Sequence, residues 1–110
     1  MGHWQIQPAG QPARLHIRTL LELLGPTLTA VVLGASSTAQ LLSWARGTRI
    51  PRTATRRAAI ALDIARTAAR DTDSATLRAW FRGKNPGLGD VSPARAILTG
   101  LPLSNATAPP

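Results

Sequence analysis

The chain contains no cysteine, one phenylalanine and only five acidic residues. Without cysteine there is no disulfide framework, no cysteine-ligated zinc and no thiol nucleophile. The acids Glu22, Asp63, Asp71, Asp73 and Asp90 and the histidines His3 and His16 fall at no spacing that builds a metal site or an acid–base pair. Asp71 and Asp73 stand just before a helical pattern, where carboxylates cap. His3 sits in a Gly/Pro/Gln-rich lead-in and His16 on a helix flank. No glycine-rich loop is suited to cradling phosphate. Long apolar runs are missing too, none approaching the ~20 residues of a spanning helix. Arg14 and Arg18 ahead of Leu20 to Ala35 look faintly like a secretory signal, but Glu22 and Gly25-Pro26 break the stretch. These absences point to a cytoplasmic binding protein rather than an enzyme, with no cofactor, no metal and no membrane partner.

Apolar residues are not scarce. They make up 44% of 110 residues, enough for the modest core of one domain. Thirteen Lys+Arg against five Asp+Glu leave a formal net charge of +8 and a pI near 12.0. A surplus of that size on a small body implies an anionic partner, nucleic acid being the commonest.

Residues 1–12, polar with Gly2, Pro8, Gly10 and Pro12, read as a flexible arm, and residues 102–110, with three prolines, as a disordered tail. Between them the apolar period is helical throughout. Ile17, Leu20, Leu21 and Leu24 form one stripe, ended by Gly25. Pro26 opens a second helix over Thr27–Leu33. Ser37, with Gln40 three residues on, has the form of a capping box ahead of a third, in which Leu41 and Trp44 face inward and Gly47 is the stop. Thr53–Arg70 predicts the longest helix, with Ala61, Ile64, Ala65 and Ala68 on one face and Ile60 beside it. Ser74 begins a fifth, on which Leu77, Trp80 and Phe81 share a face. Ser92-Pro93 caps a sixth carrying Ala94, Ile97, Leu98 and Leu101. The expectation is an all-α bundle of five to six helices, with residues 13–70 holding a helix-turn-helix and the following long helix, and 71–101 a further segment.

Two short helices joined by the turn Gly34–Ser36, the second capped and followed by basic residues, have the form of a helix-turn-helix. Its recognition helix is Ser37–Arg46, and Ser37, Thr38, Gln40, Ser43 and Arg46 are its outward or capping polar residues. Gln40 offers a bidentate pair to adenine and Arg46 to guanine. Arg46, Arg49, Arg52, Arg56 and Arg57 follow one another with no acid between them, a series suited to phosphates beside the groove.

The most distinctive stretch runs from Leu77 to Leu98. Trp80-Phe81 ends a helix, Asn85-Pro86-Gly87-Leu88-Gly89 follows, then Ser92-Pro93 and Ile97-Leu98. It resembles the toxin-binding domain of the MbcA/ParS/Xre antitoxin family, whose members carry a helix-turn-helix ahead of it at about this distance. The resemblance implies double-stranded DNA of the chain's own promoter as one partner and a RES-domain, NAD-consuming toxin as the other. It further implies a homodimer or higher oligomer, with Trp80, Arg82, Lys84, Asn85, Leu88, Asp90 and Arg95 on the partner-binding side. A stand-alone phage or prophage regulator with no toxin is the alternative, and a protein-interaction module that no longer reads DNA is a third.

Overall fold

Proline and glycine divide this chain into helices. A computed structural model, which describes residues 11–110, has six: α1 (Gln11–Leu24), α2 (Pro26–Leu33), α3 (Thr38–Arg46), α4 (Arg52–Ala68), α5 (Ser74–Arg82) and α6 (Pro93–Thr99). Short 3-10 turns occupy Ala69–Asp71 and Pro86–Leu88. Among the described residues, extended pairing is confined to an isolated bridge between Asn85 and Val91. The protein is all-α. Of the expected arm, residues 1–10 lie outside the described residues, whereas Gln11 and Pro12 already belong to α1.

Local chemistry sets the helix ends. Ser37, Asp73 and Ser92 stand in extended backbone, and each side chain accepts from the N–H three residues on: Gln40 at 3.1 Å, Thr76 at 2.7 Å and Arg95 at 3.1 Å. The cap of α5 is therefore Asp73, one residue before the expected start, and Asp71 lies in the 3-10 turn. At the end of α2 the N–H of Ala35 reaches Ala30 O at 2.9 Å and that of Gly34 reaches Val31 O at 3.2 Å. This Schellman closure needs a left-handed residue, and Gly34 supplies φ 76°.

Three helix ends, that of α2 among them, are also closed from a distance. Arg18 of α1 donates through Nε and Nη2 to Ala45 O on α3, at 3.3 and 3.2 Å. Arg57 of α4 donates to Leu33 O of α2 at 3.2 Å. Arg78 of α5 donates to Leu23 O and Glu22 O of α1, at 3.1 and 3.4 Å. Each guanidinium satisfies carbonyls that have no partner within their own helix and sets a positive charge at the negative end of the helix dipole. Gly34 has a second reason to be glycine, because a Cβ there would sit 2.5 Å from the Arg57 guanidinium.

The core follows from the stripes. Ile17, Leu20 and Leu24 of α1 meet Leu28, Val32 and Leu33 of α2, Leu41 and Trp44 of α3, and Leu77 and Phe81 of α5. Helix α4 presents Ala54, Ala58, Ala61 and Ala65, all buried, and packs on α1, α2 and α6. Alanine at i, i+4, i+7 and i+11 keeps that face narrow, so three helices approach one axis closely. Leu62 joins this face, while Ile60 is 40% exposed and Ile64 only partly buried. The apolar stripe of α4 thus lies further toward its N-terminus than the spacing predicts. Thr29, fully buried, donates its hydroxyl to Leu20 O at 3.2 Å. Leu101, expected on the α6 stripe, lies past the helix and is 44% exposed, because Gly100 at φ 81° ends α6 first.

Two predictions follow from these ends. Arg18→Met, Arg57→Met and Arg78→Met keep most of each stem but remove the donors, and each is expected to lower unfolding free energy by ~1–2 kcal/mol in urea titrations. Arg66→Met, on an exposed position of α4, should change it by less than ~0.5 kcal/mol. Equal losses at all four sites would mean the carbonyl contacts contribute nothing. The second concerns Asp73, whose carboxyl the Thr76 N–H holds below its ordinary value of 3.8. With the folded value depressed, the cap's contribution is complete above that ordinary value and is lost as pH falls through the lower folded one. Asp73→Asn retains an acceptor that does not titrate. Its stability should therefore fall less than the wild type's on acidification, and parallel curves would refute a charged cap.

Candidate nucleic-acid interface and partner face

Helices α2 and α3 meet at 87°, the near-perpendicular arrangement of a helix-turn-helix. Leu41, Trp44 and Ala45 bury one side of α3 and leave the opposite side exposed. The geometry matches the expected pairing of Thr27–Leu33 with Ser37–Arg46 to within one residue at each start.

The polar residues assigned to that exposed side divide into two groups. Gln40 Oε1 accepts from the Ser36 N–H at 2.7 Å and from the Ser36 hydroxyl at 3.0 Å. The reciprocal half of the capping box therefore lands on Ser36 rather than Ser37. Both acceptor sites of the Gln40 carbonyl are filled, so Gln40 is not free to bond adenine bidentately, and that expectation is corrected. Ser37 is the cap itself, and the Ser43 hydroxyl donates to Gln40 O at 2.7 Å. Thr38 and Arg46 remain exposed with no such commitment. Beside them the exposed Ala39 and Leu42 add apolar surface, which suits the thymine methyl. The sequence pattern could have placed both, since they flank the buried Leu41 at helical spacing.

The basic series divides likewise. Arg46, Arg49, Arg52 and Arg56 are exposed. Arg57 is half-buried against Leu33 O and closes α2, so it is corrected from a phosphate ligand to a structural cap. Arg14 of α1, absent from the basic series expected at the interface, stands beside Arg49 and Arg52. Arg14, Arg49 and Arg52 line a pocket of about 360 Å3 together with Thr48, Pro51 and Thr55. Arg14 Nε is buried and unpartnered. Helix α4 begins at this pocket with Pro51 ahead of it and no side-chain cap, and three arginines line one small volume there. Such a concavity is suited to a phosphate group. Only chain reversal between α1 and α4 brings Arg14 there.

The expected partner-binding set separates more sharply. Asn85 is 3% exposed and hydrogen-bonded through both ends of its amide. Its Oδ1 accepts from Gly87 N at 3.0 Å and Thr107 N at 2.8 Å, while Nδ2 donates to Thr107 O at 2.8 Å. Its main-chain N–H reaches Val91 O, and its carbonyl accepts from Leu88 and Asp90. Trp80, half-buried, donates Nε1 to the same Thr107 O at 2.8 Å and packs edge-on to Phe81. Leu88 is also half-buried. Asn85 and Trp80 therefore tie the loop to the segment after α6. That segment, expected to be disordered, has no helix but is strapped down by Thr107 and by the partly buried Leu103. A side chain on Gly87 would run into the Asn105 carbonyl, so glycine there admits the strap.

Arg82, Lys84, Asp90 and Arg95 are exposed. Arg82 and Arg95 share a groove with Arg78 between α2, α5 and α6, whereas Lys84 and Asp90 do not line it. Asp90 holds φ 67°, a left-handed conformation that aspartate tolerates. Among the described residues no group of three His, Asp or Glu side chains is placed to hold a metal ion, and no single helix is long and apolar enough to cross a membrane.

Asn85→Ala should release the strap. Hydrogen exchange at residues 103–108 is expected to rise by at least about tenfold, with a stability loss of ~2–3 kcal/mol for the orphaned amide partners. Unchanged exchange there would show that the segment is held by other contacts. Comparison of the chain with protein-family models, with curated proteins and with solved structures gives no match.

Proposed function

We propose that the protein is a cytoplasmic DNA-binding regulator of the antitoxin kind, acting by binding and not by catalysis. It represses its own promoter through α2 and α3 and neutralises a RES-domain toxin through the α5–α6 side. The observation that carries the DNA half is the three-arginine pocket of Arg14, Arg49 and Arg52, placed directly after a recognition helix whose outer side is uncovered. Thr38, Arg46, Ala39 and Leu42 face base edges, while Arg14, Arg49, Arg52 and Arg56 hold phosphates on the flank. A homodimer on two half-sites about 34–36 Å apart gives such a short helix its affinity.

The toxin half rests on the resemblance of residues 77–98 and on the exposed arginines Arg82 and Arg95. A second reading, a stand-alone regulator without a toxin, is favoured by one observation. Trp80 and Asn85, two of the residues that carry the resemblance, are engaged internally with the Thr107 main chain. A scaffold needs nothing more of them.

Binding of the purified protein to its own upstream DNA tests the proposal. Affinity is expected to fall by orders of magnitude between ~50 and ~200 mM salt and to exceed that for a scrambled duplex. Arg14→Ala, Arg49→Ala and Arg52→Ala should each weaken binding to all sequences alike and reduce the salt slope by about one. Arg46→Ala should change sequence preference, and Gln40→Ala should leave it unaltered. No binding at low salt, or a preference that moves with Gln40 and not with Arg46, would overturn the assignment.

A further inference from the structure

We infer that the groove between α2, α5 and α6 is the docking surface for an acidic segment of a partner protein that carries apolar anchors. The inference deepens the partner-protein half of the proposed function and makes no use of its DNA half. The groove measures about 440 Å3, within the ~300–1,000 Å3 of concave sites that enclose a ligand. Leu24, Leu28, Ala94 and Leu98 line it with Val31, which is 48% exposed although it lies mid-helix. Around this apolar floor stand Arg78, Arg82 and Arg95, and no carboxylate lines the groove. Arg78 is anchored by the Glu22 and Leu23 carbonyls, so its charge is fixed in position. Arg82 and Arg95 are exposed on α5 and α6.

Charge decides the chemistry of the occupant. Three guanidiniums around an apolar floor complement carboxylates spaced around apolar side chains, with specificity and rate of encounter set by the rim. A nucleic-acid duplex would satisfy the arginines but would set phosphate against Val31 and Leu98. A second copy of this chain does not fit either. Glu22 lies between the buried Leu20 and Leu24 of α1, Asp63 is on α4, and Asp71, Asp73 and Asp90 are in turns or caps. Asp63 does stand beside the exposed Ile60 and Leu101, but that face sets a single carboxylate against three guanidiniums, so the occupant comes from another protein.

The test uses the full chain, isotopically labelled, and a synthetic peptide of about 14 residues with Leu at i, i+3, i+4 and i+7 and Glu at most other positions. A peptide of the same composition with the Leu period broken is the control. The patterned peptide is expected to shift the resonances of Val31, Leu98, Arg82 and Arg95 and to bind at least about tenfold more tightly than the control. Arg82→Glu and Arg95→Glu should each weaken it at least about tenfold. Val31→Asp, at an exposed position, should abolish binding while DNA affinity persists. Equal binding of the two peptides, indifference to Val31→Asp, or displacement of the peptide by duplex DNA from the same resonances would overturn the inference. Failure of the groove is distinct from failure of the toxin pairing. A RES-domain toxin held as tightly by the doubly charge-reversed chain removes the groove alone, whereas patterned-peptide binding by a chain that holds no such toxin supports the groove and removes the pairing.

Discussion

The packing of this protein depends on arginines that reach across the fold to the carbonyl ends of other helices. Arg78 closes α1, Arg57 closes α2 and Arg18 closes α3. Helices of 14, 8 and 9 residues connected by short turns leave many terminal carbonyls close to the core, where water reaches them poorly. Each guanidinium offers several donors on a rigid fork and retains its charge while partly buried, so one residue satisfies a helix end and ties that helix to another. The Arg57 contact also holds the last turn of α2 against α4.

This use of arginine changes the meaning of the net charge. A surplus of +8 on a protein of this size looks like one broad electrostatic surface, yet Arg18, Arg57 and Arg78 are engaged internally. Most of the remainder gathers in two places, with Arg66, Arg70 and Lys84 outside both. Arg14, Arg49 and Arg52, with Arg46 and Arg56 nearby in sequence, stand at an arginine- and threonine-lined pocket at the start of α4. Arg82 and Arg95 rim an apolar groove. The surroundings distinguish them, because threonines and uncapped N–H groups suit phosphate, whereas leucine and valine suit a protein side chain.

What was legible in the sequence was whatever is local along the chain. Ser37, Ser92, Pro26 and Gly34 mark helix ends within four residues of the groups they serve, and the stripes of α1, α3 and α5 follow from spacing alone. The long-range arginine caps were not legible. Their acceptors are backbone carbonyls 24 to 56 residues away, and a carbonyl has no sequence signature. Gln40 shows the same limit at short range: periodicity places it outward but does not reveal that Ser36 fills its acceptor sites. Residues 102–110 look unstructured by composition because the contact that orders them is made by the Thr107 backbone, and Asn85 would grip the backbone of any residue but proline in that place.

Helix α2 belongs to both faces. Its Leu28 and Val31 line the groove, and the same helix holds α3 at 87°. Coupling between the two would require an element with two arrangements whose balance each ligand biases differently. Yet α2 is fixed at its start by Pro26, at its end by the Gly34 closure and Arg57, and along its length by the buried Thr29 and Val32. A ligand in the groove meets the side chains of a helix already pinned at both ends, and no alternative seat is offered to α3. The influence left to such a ligand is its charge, screened beyond roughly 8 Å at physiological salt. In the proposed assembly an acidic segment between Arg82 and Arg95 would therefore weaken phosphate binding at Arg14, Arg49 and Arg52 only to the extent that its carboxylates lie within that reach.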